Sequence, residues 1–547
     1  MTTGQMPATD GRATTFNAPG PGGAFRPHGG VRGDQQAPGS ALFEGRFGRM
    51  FRRLAPANHS EADLTTLATA ITAKAEDKPT PETEIDDEEN QGIDAGYTYL
   101  GQFIDHDLTF DPNSSLQRTN DPDALTDFRT PRFDLDCIYG RGPNDQPYLY
   151  EDGGLRMKLG RPLTGAEDFD ANARDVPRHG LDGQRKRALI GDPRNDENVL
   201  VSQLQSIMLR FHNRLVDVFG ATSGADFEFI QQMVRWHYQW VVLHDFLPTI
   251  VGHDTLDKVL PHLSPDAAAG GQPYHLSRKS IYDHKPILRF FEWANNPFIP
   301  IEFSAAAYRF GHSMIRPIYR LNLTLTGGDP AINGRKLIFT PEDGTDGLNG
   351  FREFPDNWAI DWRLFFDMGE NRPKTGVDRL QKSYKIDSSV VNPLSMLPTS
   401  VASDDRSLIH RNLLRGMRMG LPTGQAVANY MDVDVIKPGD LRVGKATEDG
   451  QKKNKTLAQT VPAFDGNAPL WYYILAEAQQ AFRNNDTPIR LGKVGGRIVT
   501  EVFVGLLLGD KNSFLSQFPG WEPDERLCNP QTKNFQMADL IRAAVGA

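Results

Sequence analysis

Residues 96–107 read Gly-Tyr-Thr-Tyr-Leu-Gly-Gln-Phe-Ile-Asp-His-Asp, which sets one histidine between two aspartates inside an apolar, aromatic run. Taken as a helix, Gln102 and His106 lie four residues apart and project from one face, one turn above each other. Asp105 and Asp107 then point to different sides. Polar groups this dense beside Leu100, Phe103, Ile104 and Leu108 are costly to bury unless something pairs with them. The segment therefore predicts either a histidine satisfied by a neighbouring carboxylate or the polar wall of a site in a helical core.

Working outward, Thr130-Pro-Arg-Phe-Asp-Leu-Asp136 offers a second polar element. In an extended chain Thr130, Arg132, Asp134 and Asp136 share a side. Oxygens from Thr130, the Arg132 carbonyl, Asp134 and Asp136, completed by Asp107, would suit a hard cation that takes six to eight oxygen ligands, calcium above all. An Asp-x-Asp pair in a loop also serves as ordinary turn capping. Gly191-Asp-Pro-Arg-Asn-Asp-Glu-Asn198 is a turn before a strong helical pattern, with Arg194 and Glu197 three apart at the helix start. Tyr308-Arg-Phe-Gly-His312-Ser-Met-Ile-Arg316 places His312 in an apolar stretch, directly after a glycine small enough to admit a flat group. Taken alone, such a histidine reads as a core residue or as a ligand.

The chain has 547 residues and a net charge of −10, which argues against a dedicated nucleic-acid binder. No apolar run approaches the ~18 residues of a membrane-spanning helix. Two cysteines, Cys137 and Cys528, leave no room for a disulfide framework or a four-cysteine zinc site. Thirteen histidines are the main reservoir of metal chemistry. Residues 1–40, with nine Gly and five Pro, read as an arm that cannot offset its ordering entropy by burial. Residues 76–90, with eight acidic groups, read as a solvated connector. Helical periodicity is predicted over 199–218, 227–246, 304–316, 468–484 and 495–508, with short strand-like alternation near 338–340. His237 and His244 decorate a helix face, His212 is a structural hydrogen-bonding residue, and Cys137 is buried packing.

Five stretches in this order, GQFIDHD, GDPRNDEN, RFHNRL, YRFGHSMIRP and NLLRGMRMGLPTGQA, resemble the animal-type haem peroxidases. These belong to the peroxidase–cyclooxygenase superfamily that includes myeloperoxidase, and the details look most like the bacterial members. The resemblance implies a mainly α, large single-domain haem peroxidase fold with long loops and little β. Residues 1–40 would form the Gly/Pro-rich arm and 41–547 the catalytic domain. It implies haem b as cofactor, with His106 as distal histidine, Gln102 its pocket partner, Arg194 the distal arginine and His312 the proximal iron ligand. Asn412 matches the asparagine beside that proximal ring, and Arg309 and Arg415 match the arginines that pair with haem propionates. Asp105 and Glu197 match the carboxylates that form ester bonds to haem in mammalian members. Asp107, Thr130, Arg132, Asp134 and Asp136 match the calcium site, with Asp136 standing where mammalian members have serine. Asn198 stands where myeloperoxidase has its sulfonium-forming methionine, so that link should be absent.

The activity implied is reduction of hydrogen peroxide at the expense of an organic donor or a halide, as in a response to oxidative stress. The opening residues lack the cationic start and apolar stretch of a secretory signal. A cytoplasmic location is therefore favoured, with signal-independent secretion still open. Three other readings compete. A fatty-acid dioxygenase of the same superfamily needs a tyrosine three residues before the proximal histidine, where this chain has Arg309, with Tyr308 one residue further away. An adhesion protein is suggested by Arg32-Gly33-Asp34. A non-haem iron site using His106 and His312 leaves Arg194 and Asn412 without a role.

Overall fold

The histidine-bearing segment forms the helix Gly96–Leu108, which ends where Thr109 turns to extended backbone. Its first residue has to be small: a Cβ on Gly96 would lie 2.3 Å from the Phe366 ring and 2.6 Å from Phe365 O. The structure is a computed structural model that describes residues 47–74, 87–110, 129–180, 186–223, 226–261, 285–292, 294, 297–326, 334–340, 347–402 and 404–546. The proposed arm and the Arg32-Gly33-Asp34 triplet lie outside them.

Long helices occur at Val199–Ser223, Phe227–Val241, Leu470–Arg483 and Lys493–Gly509, close to the predicted spans. Every residue from Val494 to Leu507 is buried, the pattern of a helix at the centre of a large core. A 3₁₀ turn, Ala307–His312, packs against this helix, against Leu470–Arg483 and against Gly96–Leu108. The Gly96–Leu108 helix also packs on Val199–Ser223, and Leu408–Arg418 lies against Leu470–Arg483. These contacts bring the two singled-out histidines toward one region. Three two-stranded antiparallel ribbons complete the described residues: Glu89–Asp94 with Lys382–Tyr384, Arg178–His179 with Arg187–Ala188, and Ile318–Tyr319 with Lys336–Leu337. The fold is thus a mainly helical single domain with little β. No helix among the described residues is long and apolar enough to cross a membrane.

Several local expectations are corrected. The helix expected over 304–316 is a short Ile301–Ser304 turn, a break at Ala305 and Ala306, and then the 3₁₀ turn. Aromatic side chains and Gly311 support a regular helix poorly there, and Pro317 disfavours helical backbone at Arg316. The helix expected to run to Phe246 widens into a π-helical stretch, Val242–Phe246, before Leu247–Ile250. Pro248 has no N–H for the carbonyl four residues back. The strand near 338–340 lies two residues earlier, at Lys336–Leu337. Thr130–Asp136 is a bent loop rather than an extended strand: Leu135 has φ of +56° and Asp136 begins a helical turn.

The end of the acidic stretch is not a solvated connector either. Glu89 is buried and accepts from Arg316 Nη1 at 2.6 Å and Arg379 Nη2 at 2.7 Å; most of 76–90 lies outside the described residues. His237 is wholly buried rather than on a solvated face, with Nδ1 2.7 Å from Met233 O. His244 stacks on Trp240 at 3.7 Å between centroids. His212 meets Tyr139 Oη and Leu155 O at 3.0 and 2.8 Å.

Candidate active site

One cavity of about 280 Å³ is lined by Gln102, Asp105 and His106 from the Gly96–Leu108 helix, by Arg194, Glu197 and Asn198, and by Tyr308 to His312. His106 and His312, 206 positions apart, therefore open onto the same space. Asp105 faces that space while Asp107 faces away, as their flanking positions on the helix require.

The proton arrangement on His106 follows from a chain of amides. Cys137 O can only accept, so Gln205 turns Nε2 toward it at 3.3 Å and its Oε1 toward Asn195 Nδ2 at 2.8 Å. Asn195 Oδ1 is then left to accept from His106 Nδ1 at 2.7 Å. With Nδ1 carrying the proton, Nε2 offers a lone pair to the cavity. Burial, followed by the charge of Arg194, lowers the His106 pKa to about 4, so the ring is neutral near pH 7. Asn195 and Gln205 escaped the sequence reading. Their only signal was an amide directly beside Arg194, which looks like turn chemistry until the fold brings it to the histidine.

Arg194 is fixed by its neighbours. Its Nη2 donates to His106 O at 3.0 Å and to Asp192 Oδ2 at 2.7 Å, and its guanidinium lies 4.6 Å from the Phe110 ring centroid. Asp192 is fully buried and also accepts from Arg129 Nη2 at 2.6 Å. Although burial opposes its charge, Arg194 and Arg129 outweigh it and hold the carboxyl far below the usual range. Gln102 donates to Glu197 Oε2 at 3.0 Å and accepts from Asn198 Nδ2 at 3.0 Å. Asn198 Oδ1 accepts from Val201 N and so caps the following helix. Burial raises the Glu197 carboxyl, with Arg194 and Arg411 opposing.

Across the cavity, His312 Nδ1 lies 2.7 Å from Asn412 Nδ2. Burial and then Arg309 lower the His312 pKa to about 3, so this imidazole is neutral as well. Arg309 donates to Ser304 O at 2.8 Å and pairs with Asp105 Oδ2 at 3.3 Å. Burial works against the Asp105 charge, but Arg309 helps hold its carboxyl below the usual value. A Cβ on Gly311 would meet nothing within 4 Å.

The model of the family described as animal haem peroxidase matches residues 115–355. Residues 115–355 thus match an animal haem peroxidase domain. It is 27% identical to the thyroid peroxidase of Homo sapiens over 214 residues and 29% identical to that of Sus scrofa over 212 residues. Each match covers 36% of this chain but only 20% of the relative, so the chain spans about a fifth of the curated relatives it matches. Among solved structures, peroxidase A of Dictyostelium discoideum superposes with a TM-score of 0.56 at 14% identity, over 92% of this chain and 93% of that one. A fatty acid alpha-dioxygenase of Arabidopsis thaliana gives 0.51 at 14% identity, over 92% and 78%. Both likenesses concern the fold.

The matched family is one of haem proteins, and the cavity residues fit haem. Two neutral imidazoles open onto the cavity, one backed by an amide that can hold its second nitrogen, with unfilled space over Gly311. Arg415 does not line the cavity, whereas Arg411, one turn earlier on the Leu408–Arg418 helix, does. Residues four apart share a helix face, so spacing alone could not choose between them.

The carboxylates of Asp107, Asp134 and Asp136 converge, with one oxygen of each within 4.8 Å of the others. Asp107 Oδ2 is buried with no hydrogen-bond partner among the described residues, while Oδ1 accepts weakly from Cys137 Sγ at 3.5 Å. Burial, and then the neighbouring carboxylates, push the Asp107 carboxyl well up. Three oxygen-donor side chains with an orphaned buried oxygen fit a hard cation. Thr130 Oγ1 donates to Asp134 Oδ2 at 2.6 Å, and the Arg132 side chain reaches toward Asp510 at 3.9 Å. Arg129 pairs with Asp136 at 3.1 Å and with Asp192, tying this cluster to Arg194.

Proposed function

We propose that the protein is a haem peroxidase that reduces hydrogen peroxide and oxidises a small organic donor or a halide. The observation that carries the proposal is the tautomer imposed on His106 by Asn195, which points a neutral nitrogen base into the cavity that His312 also lines. Bound between the two imidazoles, haem b would supply the iron that takes peroxide and stores two oxidising equivalents. His312 Nε2 would hold that iron, with the Asn412 side-chain amide turned over so that its oxygen, in place of Nδ2, accepts from Nδ1–H and sets the tautomer and ligand basicity. His106 Nε2 takes a proton from peroxide and returns it to the departing oxygen. Arg194, held by Asp192, contributes positive charge where the O–O bond polarises, without reorganising. Purified, haem-loaded protein should oxidise guaiacol only when peroxide is present; no turnover with guaiacol, iodide or bromide contradicts the proposal.

The amide chain makes its own prediction. Asn195→Leu frees the His106 ring to turn and should slow the peroxide reaction by roughly 10–100-fold, measured by stopped-flow absorbance. Calcium in the Asp107–Asp134–Asp136 cluster would hold the distal helix in place. At a hundred times its dissociation constant it should stabilise the fold by about 2.7 kcal/mol, read as a rise in Tm that EDTA reverses and Asp107→Asn removes. Asp105 and Glu197, both lining the cavity, would form ester bonds to haem. Acid–acetone should then leave haem on the turned-over protein and release it from the Asp105→Asn, Glu197→Gln variant.

A fatty-acid dioxygenase is favoured by one observation: Tyr308 lines the cavity with its buried hydroxyl unpartnered among the described residues. In a 3₁₀ turn, however, the residue three before His312 eclipses it, and that residue is Arg309; Tyr308 is about 120° round. Rapid oxygen uptake with palmitate or linoleate would make the dioxygenase the better description.

A further inference from the structure

Three tyrosines line the cavity, Tyr97, Tyr99 and Tyr308, and they differ in what their hydroxyls meet. The Tyr308 hydroxyl has no hydrogen-bond partner among the described residues, and the Tyr99 hydroxyl faces another phenol, Tyr319, whose ring it meets edge-on at 5.6 Å. Tyr97 Oη donates to Asp245 Oδ1 at 2.7 Å. Asp245 is buried at 2% exposure, and its other oxygen accepts from Met537 N at 2.7 Å. It belongs to the π-helical stretch Val242–Phe246, a backbone form frequently found at functional sites. Burial raises the Asp245 pKa to about 6, against the two hydrogen bonds, with Asp539 and Asp94 adding to it. Asp539 pairs with Arg542 and Asp94 with Lys382. The group is therefore a carboxylate near pH 7 that can still hold a proton. A phenol gives up an electron readily only when its proton can leave with it, and of the three tyrosines Tyr97 alone is hydrogen-bonded to a carboxylate among the described residues, although the Asp105 charge also acts on Tyr308.

The other side of Tyr97 is equally specific. Its ring packs on Phe366 at 5.3 Å between centroids, close to edge-on. Phe366 in turn lines a second cavity, of about 520 Å³, whose walls include Arg372, Lys374, Arg379 and Lys382 and carry five cationic and three acidic side chains. Arg379 pairs with Glu89, Lys382 with Asp94, Arg363 with Asp361 and Arg372 with Glu370, so the preference of this cavity for a small anion rests chiefly on Lys374. Along the helix Tyr97 stands about 13 Å from His106, between the two cavities.

We propose that Tyr97 and Asp245 form a proton-coupled electron relay that lets haem in the main cavity oxidise a small anionic donor seated behind Phe366. The inference rests on the peroxidase reading. Tyr97 gives one electron to the peroxide-oxidised haem and its phenolic proton to Asp245 Oδ1. The donor then returns one electron to the tyrosyl radical while Asp245 returns the proton, restoring phenol and carboxylate. Two such cycles account for the two electrons that one peroxide consumes.

The test uses the haem-loaded full chain, ring-deuterated at tyrosine, mixed with one equivalent of peroxide and freeze-quenched for electron paramagnetic resonance. The relay predicts a tyrosyl signal narrowed by deuteration, reduced at least about ten-fold in Tyr97→Phe and formed at least about ten-fold more slowly in Asp245→Asn. Both variants should keep Tm within a few degrees, which separates the relay from a merely structural hydrogen bond. With ferrocyanide as anionic donor, the Arg372→Ala, Lys374→Ala variant should show a raised KM for ferrocyanide and an unchanged KM for guaiacol. A radical of full size in Tyr97→Phe, or a ferrocyanide KM unmoved in the double variant, overturns the relay. A haem spectrum that responds to peroxide without any tyrosyl signal also overturns it while leaving the peroxidase reading intact. A spectrum blind to peroxide ends both.

Discussion

His106→Leu is expected to slow the reaction with hydrogen peroxide by about 10²–10⁴-fold, the range that a positioned general base supplies. Leucine fills similar space but has no nitrogen to take the proton, while Arg194, Asp192 and the Asn195 amide chain remain. The pH profile gives an independent check. Burial and Arg194 lower the His106 pKa to about 4, so the ring is a competent base above that value and is lost by protonation below it. The second-order rate with peroxide should stay level from about pH 8 to pH 5 and fall as pH drops through about 4. An apparent pKa near 6.5, the value of an ordinary imidazole, would show that the distal cavity is wetter than its packing implies. Stopped-flow absorbance of the wild type across pH, with the leucine variant at neutral pH, makes both comparisons.

The second large effect is expected on the opposite wall. His312→Ala should weaken haem binding by more than about 100-fold, since loss of a ligand must exceed the 10–100-fold typical of losing its supporting partner. Asn412→Ala should fall within that smaller range. It leaves the iron ligand in place but removes the amide 2.7 Å from Nδ1. Equilibrium titration with haem, followed by the quenching of tryptophan fluorescence, ranks the three proteins. If His312→Ala bound haem as tightly as the wild type, another side chain would be the ligand. Added imidazole, which should rescue haem binding in the alanine variant, would then change nothing.

The parts of this site that were legible in the sequence are those fixed by helical period. Gln102 and His106 share a face because they are four apart, and Asp105 and Asp107 diverge for the same reason; the Gly96–Leu108 helix turns both statements into geometry. The central Lys493–Gly509 helix was legible because its second half, Val502 to Leu508, is apolar on all sides and has to be enclosed. What was hidden depends on tertiary contact. Asn195 meets His106 only after the Pro193–Asp196 turn folds over the distal helix. Asp192 reads as a turn residue until Arg129 and Arg194 converge on it. Periodicity across 227–246 continues smoothly through Val242–Phe246, and nothing before Pro248 marks the widening that brings Asp245 to Tyr97. Arg411 and Arg415 occupy one helical face, and only the placement of the Leu408–Arg418 helix decides which reaches the cavity.

Titration of the purified wild-type chain with haem, read by its absorption spectrum before and after one equivalent of peroxide, tests most directly whether a porphyrin sits between His106 and His312. Binding should saturate at one haem per chain with the spectrum of a histidine-ligated ferric haem, and peroxide should then convert that spectrum within seconds. Unsaturable binding, or a stoichiometric complex whose spectrum is indifferent to peroxide, would contradict the assignment.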